Sequence, residues 1–465
     1  MRRTMLLAAA VSTTLVLSGC LGQQQESDTA RNADAKDVEL TITSNSVQGG
    51  KNDLDAKWIE EWVIPEFTKQ QKEKGVNVTV EFDGVGVDDD EYKAKVALDF
   101  GSDIGGDVVE IDGIWLGEFA QGDQIRALDE IVGKDKADGW DGWEQIPEAV
   151  QQVSTYEGKR FGIPKGTDGR VLFFNKKLFA KAGLPEDWQP TSWDEILDAA
   201  TTLKKLPGVT PLQLNAGTAM TEATTMQGVL PLLAGTGSEI YADGKWQGGT
   251  EDMKAVLDLY QRVYRGGLGD PVLQQEAKGR DKSFELFAQN KIGILLESDY
   301  FWRDVVAPET GVAKMADRDT AVGWAKIPAV TPGSGVDGQD FVSMSGGSVR
   351  VINPKTEYPQ QAWELLQFMN SAAATKAFLG DTAQITQRED VNSEVLSGDP
   401  MLSFIAEEIL PITRFRPAIA EYPQVSTALQ QATADVIAGR SADEAAAGYQ
   451  DALVKAVGED AVAGG

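Results

Sequence analysis

Asp112 and Asp168 are the carboxylates from which chemistry could start. Asp112 directly follows the apolar run 108–111, and Asp168 precedes the run 171–174. Two carboxylates can serve as acid and base in glycoside hydrolysis, or can accept hydrogen bonds from a bound hydroxyl compound. Each also has a plainer role open to it. Asp112 could cap a helix at a strand-to-helix turn, and Asp168 could pair with its near neighbour Arg170. Other chemistry is closed off by composition. The chain has no histidine and a single cysteine, which excludes Ser-His-Asp and Cys-His catalysis, histidine-containing zinc sites and cysteine-rich metal sites. It has no phosphate-cradling G-x-x-x-x-G-K-[ST] and no Rossmann glycine triplet after a strand. No cofactor and no metal are expected.

The elements that must position these residues follow from periodicity. Alternation over 38–42, 76–82 and 108–111, with helical patterns around Trp58, Trp62 and Phe67 and over 92–100, gives a β-α-β-α-β run. Such a run argues for an α/β fold in which ligands sit at the carboxyl ends of strands. Further strands are expected at 171–174, 292–296, 321–324 and 349–352. Ser192 with Glu195, and Ser441 with Glu444, have the spacing of capping boxes. The stripe Met253, Val256, Leu257, Tyr260, Val263 and Tyr264 marks an amphipathic helix stopped by Gly266-Gly267. Trp193 and Trp363 lie on such stripes and are expected in the core.

With 43 basic against 72 acidic residues the net charge is −29, so nucleic acid is a poor partner. The N-terminus has Arg2 and Arg3, an apolar stretch over 5–17 and then Leu17-Ser18-Gly19-Cys20. That stretch is short for a membrane span. The last four residues resemble the lipobox of bacterial lipoproteins, which implies cleavage before Cys20 and a lipid on its sulfur. Residues 21–37 are polar and without apolar period, as a flexible tether would be.

Five stretches in order along the chain resemble the extracellular solute-binding proteins of ABC importers, the family that includes maltose-binding protein. They are the run from Gly106 to Trp115, and Tyr156-Glu157-Gly158-Lys159-Arg160-Phe161-Gly162-Ile163-Pro164. Next come Leu172 to Phe179 with Pro190 to Glu195, and then 287–302 with Tyr300 and Trp302. Last is Gly346-Gly347-Ser348 with Ala362-Trp363-Glu364 and Arg416-Pro417. The resemblance implies a two-lobed fold of periplasmic-binding-protein type, each lobe a mostly parallel sheet flanked by helices, joined by hinge strands. The expected division is a signal peptide at 1–19 and a tether at 20–37. One lobe takes 38–165 plus about 335–370, and the other about 166–334 plus 371–465.

It also implies a carbohydrate in the interlobe cleft, which the available aromatics size as a di- or oligosaccharide, delivered to permease subunits by a monomeric protein on the outer face of a monoderm cell membrane. The residues expected to contact it are Asn45, Ser46, Asp112, Trp115, Asp168, Arg170, Glu222, Tyr300, Trp302, Gly347 and Arg416. Turn formation is the alternative for Asn45 and Ser46, and buttressing of the C-terminal helices is the alternative for Arg416. A secreted glycosidase using Asp112 and Asp168, and a surface adhesin, are the competing readings. Replacing Cys20 with Ala is expected to release the protein into the medium, measured by blotting cell and medium fractions; full retention on the cell would refute the anchor.

Overall fold

The computed structural model describes residues 28–102, 105–380 and 382–463. Cys20 and the apolar leader lie outside these residues. Eleven strands carry the architecture: β1 (Asp37–Ser44), β2 (Asn77–Gly84), β3 (Val108–Asp112), β4 (Gly162–Lys165), β5 (Arg170–Asn175), β6 (Thr210–Gln213), β7 (Ile292–Ser298), β8 (Val322–Ala325), β9 (Phe341–Ser345), β10 (Ser348–Ile352) and β11 (Thr413–Phe415). The first lobe is built on a sheet of order β2-β1-β3-β10-β4, the second on β8-β5-β7-β6. The expected parallel pairing holds for β1 with β2, β1 with β3 and β6 with β7. The other pairs in the two sheets are antiparallel, because β10, β4 and β5 belong to segments that carry the chain between the lobes rather than to β-α-β units.

Side-chain alternation explains the first sheet. In β1, Val38, Leu40 and Ile42 are buried on one face with Val108. On the opposite face Val109, Ile111, Val349 and Val351 pack against the helix Leu116–Gln121. In the second lobe, the helices Glu251–Arg265, Tyr422–Ile437 and Ala442–Val457 close over one apolar body that holds Trp193 and Tyr260. Both predicted caps form: Ser192 accepts from the Glu195 amide, and Ser441 and Glu444 bond reciprocally.

Residues 28–36 depart from the tether expected of them. They dock on the first lobe, where Arg31 Nη1 donates to the Thr356 carbonyl (3.2 Å), Asn32 Nδ2 to the Glu357 carbonyl (3.0 Å) and Gln361 Nε2 to the Asn32 carbonyl (2.9 Å). Polar composition reads as a tether, but these polar groups find fixed partners in the turn before the helix Pro359–Met369.

The chain crosses between lobes three times. Residues 166–169 lead from β4 to β5, Gly346-Gly347 lead from β9 to β10, and the chain has returned to the second lobe by Asp399, which accepts from Trp302 Nε1 at 2.9 Å, ahead of residues 415–419 that lead out of β11. Beneath the first crossing lies a buried ion network. Lys165 Nζ is 2.7 Å from both Asp55 Oδ1 and Glu110 Oε1. Arg350, opposite Glu110 in the β3–β10 register, lies 3.5 Å from Glu110 Oε2 and stacks 4.9 Å over Trp58. Burial drives the Asp55 pKa up, but Lys165 and Arg350 outweigh it and hold the carboxyl below its ordinary value. Replacing Asp55 with Ala leaves Lys165 with one carboxylate instead of two, and is expected to cost about 3–5 kcal/mol in urea denaturation. The Asp55 contribution is full above the unfolded carboxyl value of about 3.9 and is lost as pH falls through the lower folded value.

Candidate functional site

Asp112 ends β3 and takes the capping role open to it. Its Oδ1 accepts from the Ile114 amide (3.0 Å), capping the turn Gly113–Trp115, and stands 4.0 Å from Arg416 Nη2. The side chain keeps 41% of its surface yet is enclosed by protein on its other sides. That desolvation pushes its pKa up, and Arg416 pulls the other way. Arg416 reaches in from the end of β11, and its Nη1 lies 3.4 Å from Glu222 Oε1. Glu222 belongs to the second lobe, where it accepts from Tyr422 Oη (2.5 Å) and Ser426 Oγ (2.7 Å). One guanidinium therefore stands between a carboxylate of each lobe.

Asp168 and Arg170 do pair with each other, and Asp168 also accepts from the Gly346 amide at 2.7 Å. Arg170 donates to the Met344 carbonyl at 3.2 Å. Gly347 lies on the cavity wall, its carbonyl accepting from the Gly113 amide at 3.0 Å. Arg170, Glu222 and Arg416 line a hollow of about 330 Å³ on the second lobe, together with Arg280, which forms two hydrogen bonds to the buried Glu297 (2.9 and 2.8 Å). Tyr300 is 39% exposed, its ring 5.9 Å from the Arg280 guanidinium.

Four expected contacts are placed elsewhere. Trp302 is buried in the core, donating from Nε1 to Asp399 (2.9 Å) with Arg318 stacked 3.8 Å over its ring. Trp115 packs between Tyr92 and Phe119. Both follow strand ends, but the turns after those strands point the indoles back into the lobe. Ser46 is buried and donates to Asp55 (3.2 Å). Asn45 clips the loop at Val87 through both backbone groups, at 3.0 Å each.

The sequence reading missed a pair of tyrosines. A cavity of about 460 Å³ lies between the lobes, with Arg416 on its wall. Tyr156 of the first lobe and Tyr241 of the second both line it. Each is carried by a two-stranded hairpin: Thr155–Tyr156 with Lys159–Arg160, and Tyr241–Ala242 with Lys245–Gln247. The turn residues are Glu157-Gly158 and Asp243-Gly244, and all four have positive φ. Positive φ at both central positions is the type I′ hairpin geometry that favours glycine second. These dipeptides were the available signal. Burial pushes the Tyr241 hydroxyl pKa up, and the nearby Tyr156 adds to it.

Residues 52–376 match the family described as bacterial extracellular solute-binding protein. The chain belongs to that family. A relative from Brucella abortus (strain 2308) is 24% identical over 441 residues, which covers 92% of this chain and 95% of the relative. Among solved structures, the cyclic α-maltosyl-1,6-maltose binding protein of Arthrobacter globiformis superposes with a TM-score of 0.69 at 19% identity, covering 90% of this chain and 99% of that one. The GacH receptor of Streptomyces glaucescens, solved unliganded and with acarbose, gives 0.65 at 22% identity over 91% and 99%. The two-lobed fold is thus shared with sugar-binding proteins. Replacing Trp302 with Ala is expected to cost about 3–5 kcal/mol of stability by denaturant titration, with calorimetric ligand affinity unchanged in the folded variant. A large loss of affinity at unchanged stability would return Trp302 to the site.

Proposed function

We propose that this chain captures a neutral di- or oligosaccharide between its lobes and hands it to the membrane permease of an ABC importer, held at the outer face of the cell membrane by lipid on Cys20. The observation that carries the reading is the interlobe cavity with a tyrosine from each lobe on its walls. Tyrosine rings offer flat faces to the apolar faces of sugar rings and hydroxyls to their rims. Carboxylates and guanidinium groups nearby supply the charged hydrogen bonds that make hydroxyl recognition selective.

Charge balance supports a neutral ligand. Arg170 faces Asp168, Arg280 faces Glu297, and Arg416 faces Asp112 and Glu222. A phosphorylated ligand would have to draw a guanidinium away from a carboxylate already in place. Relatives that bind maltosyl compounds and acarbose make α-glucosides the first ligands to try. We assign Asp112, Asp168, Arg170, Glu222, Tyr300, Gly347 and Arg416 to the ligand-facing surface, with Tyr156 and Tyr241. Ligand bound to one lobe gains contacts to the other as the hinge closes, and so shifts the population toward the closed form. A monomer suffices for this, since both walls come from one chain.

A thermal-shift screen of neutral sugars, followed by calorimetry on the hits, tests the reading. Maltose, trehalose or a maltodextrin is expected to raise the melting temperature, and Tyr241→Ala is expected to weaken the hit about tenfold, since losing an aromatic contact removes roughly 1 kcal/mol or more. Stabilisation by no sugar, or release of reducing ends on long incubation with oligosaccharides, would overturn it.

A further inference from the structure

Residues 415–419 make two contacts that the capture of a ligand does not require. Arg416 stands between Asp112 of the first lobe (4.0 Å) and Glu222 of the second (3.4 Å). Two residues on, Ala418 lies against Gly117 in the helix Leu116–Gln121 of the first lobe. The approach there is so close that a Cβ on Gly117 would fall 1.5 Å from the Ala418 carbonyl oxygen and 3.1 Å from Tyr156 Cδ2. On either side of this point the segment is held by different lobes. Phe415 and Ala418 pack on the apolar cluster of the first lobe, and Ile419 packs on that of the second.

We propose that residues 415–419 are a clasp that holds the two lobes together by themselves, independently of ligand. One half of the clasp is ionic: a single guanidinium shared by carboxylates from opposite lobes, so that parting the lobes strips Arg416 of one of them. The other half is steric. Gly117 leaves room for the Ala418 backbone to seat directly on the helix, and only a residue without a side chain permits that approach. An oligosaccharide then enters a cleft whose walls are already near each other, and less of its binding energy goes into closure. The consequence for affinity rests on the capture reading above; the clasp itself does not.

The single cysteine makes the test direct. In the full chain with Cys20→Ala, the exposed residues Leu98 of the first lobe and Val272 of the second are replaced by Cys and spin-labelled, and the distance distribution is measured without sugar. Gly117→Ala is expected to shift it to longer distances, because the Ala418 carbonyl must retreat by more than an ångström to admit the methyl group. Arg416→Gln is expected to shift it the same way. Circular dichroism confirms that each variant is folded; should Gly117→Ala fail to fold, Arg416→Gln decides. Folded variants whose distributions superpose on the parent would overturn the clasp, and a shift in Gly117→Ala alone would overturn its ionic half. A clasp variant whose closed fraction falls about tenfold is also expected to bind the sugar hit at least about tenfold more weakly, since Ala418 and Tyr156, which the added methyl group displaces, line the cavity as well. If no sugar binds the parent, the capture reading fails while the distance measurement still decides the clasp.

Discussion

The first two crossings and β11 are tied to one another by hydrogen bonds, and the rest of the molecule depends on that tie. Asp168 on the first crossing accepts from the Gly346 amide on the second. Ser343, on β9, donates to the Arg170 carbonyl and accepts from the Arg170 amide. β9 in turn pairs in parallel with β11, and Ser345 and Thr413 join hydroxyl to hydroxyl at 2.6 Å. Strands that would otherwise be three independent linkers therefore form one small layer between the sheets. Its buried polar groups are satisfied partly within the layer and partly by its neighbours, as where Asp299 accepts from the Gly169 amide and Gln387 from the Gly166 amide, so a one-residue slip would leave several of them unpaired.

That layer also sets the electrostatics of the cleft. It carries Asp168, Arg170 and Arg416, and the carboxylates they meet come from the layer and from both lobes. Charges drawn together from distant parts of the chain cancel locally, although the chain as a whole is strongly acidic. The cleft is consequently polar without being a strong field of either sign.

Much of the fold was legible in the sequence because it is local. Alternation in β1 and the cap spacings at Ser192 and Ser441 reach no further than a few residues; the structure forms the full box at Ser441, and at Ser192 the cap alone, with Glu195 accepting from the Thr191 amide. The site was legible only in part. Asp112 stood out because a carboxylate at the end of a strand can cap the turn that follows, as it does, and can also face a cleft. Glu222 could be named, but its bond to Tyr422 spans 200 positions of sequence and has no local signature. Trp302 and Trp115 misled for the opposite reason: position after a strand says where a residue is along the chain, and the following turn decides which way an indole points. Residues 28–36 looked like tether because polar composition reports solubility, whereas the carbonyls that hold them lie more than 300 residues away. The hairpins carrying Tyr156 and Tyr241 could have been found from Glu157-Gly158 and Asp243-Gly244.

The docking of residues 28–36 has a mechanical side. The chain leaves this segment into β1, which lies inside the first sheet with parallel neighbours on both sides. A pull on the N-terminal side of the molecule loads those strand pairs in shear, with many hydrogen bonds sharing the force at once. The load stays in one lobe and never runs through the three crossings. Tension from an attachment point would leave the hinge as free to open and close as it is in a molecule adrift in solution.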